Sequence, residues 1–139
     1  MSLSQRILFL FAMVFMHVVA DFCLQGAMAS LKQIRWWEQQ PAYKTNKRKY
    51  CRDYLTALVA HSFHWSFFIS IPAIALIIVK PYAYDCLGWV TLLMILVNTF
   101  LHSLVDNEKA NRHSINLVVD QLSHLFQIML TWILMMAAI

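Results

Sequence analysis

Four stretches of this chain are each apolar over about 20 residues or more, the length a helix needs to cross the hydrocarbon of a bilayer. They run from Arg6 to Gln25, Tyr54 to Val79, Leu87 to Asp106 and Ile115 to Ile139. Sixty per cent of the 139 residues are hydrophobic and 13% are charged, far from the soluble globular norm, and the two glycines and three prolines exclude a loop-rich fold. The expected architecture is all-α: one integral membrane domain over residues 1–139, built as a four-transmembrane-helix bundle. A cleaved signal peptide is the rival reading of the first stretch, with small residues at "AMAS". His17 and Asp21 inside its apolar region argue against cleavage.

Orientation follows from charge. The loop over residues 26–53 holds seven of the eleven Lys and Arg residues against Glu38 and Asp53, so the positive-inside bias puts it in the cytoplasm. "NEKANRHS" then also falls inside, "KPYAYDCLGW" falls outside, and both termini are external. A bacterial inner membrane is the expected location. Within the long loop, Leu31, Ile34 and Trp37 share a helical face that excludes Lys32 and Arg35, which predicts an interfacial helix ended by Pro41. The run "KTNKRK" reads as a topology signal meeting anionic lipid, and no nucleic-acid partner is expected.

Every spanning stretch carries a pair of ionisable residues three or four positions apart, which puts both on one helical face. The pairs are His17 and Asp21, His61 and His64, His102 and Asp106, and Asp120 and His124. With the loops oriented as above, all eight fall in one slab roughly 0 to 15 Å inside the cytoplasmic boundary at about 1.5 Å per residue. Such groups are expensive in lipid, so they turn inward and find partners. Isolated pairs commonly only glue helices together. Five imidazoles and three carboxylates are too rich in acceptors to satisfy one another, whereas a divalent cation neutralises the carboxylates and takes the imidazole lone pairs.

The eight residues are therefore the expected metal ligands, in the manner of carboxylate and histidine sites in four-helix bundles. Mixed nitrogen and oxygen donors suit Zn, Fe, Mn or Ni, as one ion or two. Gln25 and Gln121 fall beside the layer as supporting donors or substrate contacts. Asn98 and Ser103 are expected to hydrogen-bond between helices, Cys23 to be a small packing residue, and His113 to be a solvated loop histidine. The three cysteines lie in separate segments and define neither a disulfide framework nor a thiolate metal site.

"HVVADFCLQ" at 17–25, the histidines of "HSFH" at 61–64, "HSLVD" at 102–106 and "DQLSH" at 120–124 together resemble a family of small bacterial and phage-borne inner-membrane proteins grouped under a domain of unknown function. The shared pattern is H-x-x-x-D-F-x-L-Q, H-x-x-x-D and D-Q-x-x-H. The resemblance implies a membrane location and shared use of these positions, and brings no activity with it. The P-S-G-H segment of phosphatidic-acid-type phosphatases, the aspartate-rich CDP-alcohol phosphotransferase signature and H-E-x-x-H are absent.

The favoured function is a metal-dependent hydrolase acting on a lipid or lipid-linked ester or phosphoester, with Asp21 or Asp106 as general base. The alternatives are metal-ion or proton transport, and an accessory membrane protein whose metal is structural. Membrane lipid is the expected partner. A host protein partner or a homo-oligomer stays open.

Overall fold

The computed structural model describes residues 1–80 and 85–139, so residues 81–84 of the expected outer loop lie outside the described residues. Helix α1 spans Leu3–Val18 and runs directly into a π-helical turn at Val19–Cys23. Four short helices follow: α2 (Met28–Leu31), α3 (Ile34–Gln39), α4 (Pro41–Thr45) and α5 (Lys47–Tyr50). Long helices complete the chain: α6 (Asp53–Val79), α7 (Asp85–Asn107), a second π-helical turn at Glu108–Arg112, and α8 (Leu117–Ala137). Among the described residues there is no strand. Four helical segments are long and apolar enough to cross a membrane.

Local chemistry sets the boundaries. α1 starts at Leu3 rather than Arg6 because Ser2 and Gln5 form a reciprocal capping box. α8 starts at Leu117 rather than Ile115 because the Asn116 side chain accepts the Val119 N–H at 2.9 Å. His113, in the left-handed region at φ 56°, ends the second π-helical turn. The single helix expected early in the long loop is instead α2 and α3, broken at Lys32 and Gln33. Pro41 opens α4, where its missing N–H costs nothing.

The exterior reverses the soluble pattern, and polar groups share the interior with the apolar core. α6 packs most extensively on α7, α1 lies against α6, and α8 lies against α7 and α1. Phe11, Phe15, Leu92, Leu96, Phe100, Leu122 and Phe126 are exposed, while Ser62, Ser66, Ser70, Asn98 and Thr131 are buried. Lipid tails are as apolar as leucine, so burying leucine between helices gains little; small residues that admit close backbones and polar groups that bond across helices hold such bundles together. Ser62, Ser66 and Ser70 each turn their hydroxyl back to the carbonyl four residues earlier at 2.8 Å, leaving a slim, satisfied face on α6. Asn98 of α7 donates to Thr131 Oγ1 of α8 at 2.8 Å. Ser103, by contrast, bonds within its own helix to Phe100 O. Cys23 is exposed rather than packed.

Candidate metal centre

At one end of the bundle the inward faces of all four long helical segments carry titratable groups. His17, His61, His102, Asp106, Asp120 and His124 are buried, and Asp21 is nearly so. Asp21 sits in the first π-helical turn, whose wider i to i+5 bonding is closed by Leu24 N–H donating to Val19 O at 3.0 Å. Such turns re-aim side chains and recur at functional sites.

His61 Nε2 is the hub. It lies 3.2 Å from Asp106 Oδ2, 3.3 Å from His102 Nε2 and 3.5 Å from Asp21 Oδ1. His102 Nε2 is 3.7 Å from Asp106 Oδ2. A single ring nitrogen offers one proton or one lone pair, so it cannot satisfy two carboxylates and a second imidazole together. Donor separations of 3.2 to 3.7 Å are those of a tetrahedral face around zinc, where bonds of about 2.1 Å put neighbouring ligands about 3.4 Å apart. Two further groupings have donor atoms within 4.8 Å of one another, Asp21 with His61 and His102, and His102 with Asp106 and His124.

Most buried side-chain polar atoms that lack a hydrogen-bond partner among the described residues belong here: Asp21 Oδ1, His61 Nδ1, His102 Nδ1, Asp120 Oδ1 and both ring nitrogens of His124. Orphaned buried donors and acceptors are rare in folded proteins, and a concentration of them marks a site suited to an ion or ligand.

His17 is brought into the layer but engaged differently. Trp65 Nε1 donates to His17 Nδ1 at 2.8 Å, which leaves His17 Nε2 protonated and donating to Gln121 Oε1 at 3.1 Å. The Gln121 amide then donates to Asp120 Oδ2 at 3.0 Å and Asp21 Oδ2 at 3.3 Å. This directional chain aims both carboxylates and leaves neither His17 nitrogen free for a metal. Gln25 contacts His61 Nε2 at 3.2 Å. His64 joins none of the groupings: it is half-buried and packs on Phe68, ring centroids 4.4 Å apart.

Sequence reasoning missed three residues. Trp65 stacks on His102 at 4.3 Å, and His102 stacks on His124 at 4.1 Å, so an indole forms the apolar lid over the imidazoles. Its signal was available, since Trp65 lies four residues after His61 on the same face of α6. The other two are lysines. Lys32, placed off the buried face by the sequence pattern, is only 7% exposed, and its Nζ lies 2.5 Å from Asp106 Oδ2. Lys109 Nζ, from the second π-helical turn, lies 2.6 Å from Asp120 Oδ2. Two of the three carboxylates thus already have a cationic partner, which composition alone did not reveal.

The cluster opens into a cavity of about 370 Å³. Asp21 and Asp106 line it together with Gln25, Lys32, Lys109 and Gln121, and exposed His113 stands at its edge. Comparison with protein-family models, curated proteins and solved structures finds no match to this chain. The fold and site define a class by themselves: an all-helical bundle with membrane-length helices and a buried His/Asp cluster that could hold a metal ion.

Proposed function

We propose that this chain is a multi-pass protein of a bacterial inner membrane, with residues 26–53 in the cytoplasm, and that it hydrolyses a lipid or lipid-linked phosphoester at a divalent metal. The single observation carrying this reading is the converging set of His61 Nε2, His102 Nε2 and Asp106 Oδ2 at tetrahedral spacing beside an open cavity. A closed structural site uses all its ligand positions on protein, whereas a catalytic one keeps a position facing a cleft. The resemblance to the small bacterial and phage inner-membrane proteins agrees with this location.

His61, His102 and Asp106 are the proposed ligands, with His124 able to complete the set. A divalent metal held by these residues would supply an acidified water and polarise a phosphoryl oxygen. Asp21 is the proposed general base, because Oδ1 has no donor and the residue lines the cavity while Gln121 steadies Oδ2. Asp21 would take the proton of the attacking water and return it to the lipid alkoxide as the bond from that oxygen to phosphorus breaks.

The test is phosphate release from phosphatidic acid in detergent micelles. Turnover is expected to stop on chelation and return with metal, and Asp21→Asn is expected to lower it by about 100-fold or more while metal content stays unchanged. Turnover indifferent to chelation, or to Asp21→Asn, would sink this reading. A second reading is favoured by the Lys32–Asp106 and Lys109–Asp120 pairs: a metal-free ionic brace between helices and loop. Transport is less favoured, since Met13, Ile69, Met94 and Met135 fill the interior away from the cluster.

A further inference from the structure

Lys32 is buried, and lysine is almost never buried without a partner. Its partner, Asp106 Oδ2, is also the oxygen that faces His61 and His102. Lys109 repeats the arrangement on Asp120, whose other oxygen lies 3.3 Å from His124 Nε2. Both lysines line the same cavity, and both come from segments at its rim, the end of α2 and the π-helical turn after α7. Gln25, Gln33 and Gln121 add amide groups to the lining, and His113 adds an imidazole.

An ammonium group and a divalent cation cannot comfortably share one carboxylate oxygen. A metal on Asp106 repels Nζ of Lys32, and the four-carbon stem lets the ammonium swing into the cavity. The net charge then changes sign. With neutral imidazoles, Asp21, Asp106 and Asp120 outweigh Lys32 and Lys109 by one negative charge, which repels an anion. One dication on Asp106 turns that into one positive charge, now facing a cavity with the released Lys32 ammonium and Lys109 in its wall.

We infer that Lys32, with Lys109 beside it in the cavity wall, forms a phosphate-binding subsite that is masked by Asp106 and uncovered when a divalent cation takes that carboxylate. The inference rests on the metal reading above and extends it: cation and phosphate bind cooperatively, and the lysines position the phosphate group rather than the metal. Linkage requires the coupling to be reciprocal, so phosphate must raise metal affinity by the factor by which metal raises phosphate affinity.

The experiment uses the full chain in phosphatidylcholine nanodiscs, titrated with Co²⁺ and read by the visible absorption of the bound ion. One arm adds inorganic phosphate and a second replaces part of the phosphatidylcholine with phosphatidic acid. Co²⁺ affinity is expected to rise about fivefold or more with phosphate present. A rise in the first arm identifies free phosphate as a sufficient ligand, and a rise confined to the second identifies a lipid headgroup; either supports the subsite. Lys32→Met is expected to strengthen Co²⁺ binding without phosphate, by removing the competing ammonium, and to abolish the phosphate effect. Lys109→Met, which leaves the Lys32–Asp106 pair in place, is expected to weaken the phosphate effect without strengthening Co²⁺ binding in its absence, and carries the test should Lys32→Met fail to fold; Lys32→Arg should keep the coupling. Co²⁺ binding that neither form of phosphate alters overturns the subsite and leaves the metal reading standing. No Co²⁺ binding in any arm overturns both.

Discussion

The two ends of this bundle obey the same geometric rule and use opposite chemistry. At one end, Phe9, Met13, Ile69, Ala73, Leu87, Met94 and Met135 fill the interior by shape alone. At the other, the same four helical segments present His17, Asp21, His61, His102, Asp106, Asp120 and His124, with several donors and acceptors unpartnered. Trp65 divides the two, its ring stacked on His102 and its N–H bonded to His17. A buried ionic group seldom beats a well-packed apolar one of the same volume, and several polar groups at this end also lack a partner, so stability alone does not account for them. The difference teaches that one end is held by shape, while the other carries unmet bonding capacity of the kind a metal ion could take up.

Substitutions at each end should therefore separate the two properties. The largest effect is expected from His102→Ala, which removes a donor shared by every grouping in the cluster and should lower metal affinity by more than about 100-fold; metal titration with a competing chelator checks it. Next is Ile69→Ala at the apolar end, expected to cost about 2 kcal/mol or more of stability through the cavity it leaves, measured by unfolding in mixed micelles, with metal affinity unchanged. If Ile69→Ala impaired metal binding as strongly as His102→Ala, the division between the ends would fail. Trp65→Phe keeps the stacking ring and deletes the donor to His17, so metal affinity should fall by about 10-fold to 100-fold as the chain through Gln121 loses its direction. The smallest change is expected from Asn98→Ala, which removes the bond to Thr131 and should cost about 0.6 kcal/mol in the same unfolding assay.

How much of this was legible in the sequence depends on how local each feature is. The pairs His102 with Asp106 and Asp120 with His124 were readable because a spacing of four residues fixes a shared helical face whatever the rest of the chain does. The same spacing could not distinguish His17, whose nitrogens are taken by Trp65 and Gln121, from His102, because that difference is made by other helices. His61 and His64 are three apart, yet one is the hub and the other packs on Phe68; the register of α6 against its neighbours decides between them. Lys32 was hidden for a different reason. It stands 74 positions from Asp106, and the break between α2 and α3 rotates it off the solvent face that a continuous helix would have given it. Chain periodicity reports which residues share a face, and only packing reports which faces meet.

The central claim is that the converging His and Asp donors grip a metal ion, and elemental analysis of the detergent-purified wild-type chain tests it most directly, alongside Asp106→Asn. The expected result is about one divalent transition metal per chain, falling to background in the variant. A wild-type protein that carries none after incubation with Zn, Fe, Mn and Ni, or an Asp106→Asn protein that keeps all of it, would contradict the account.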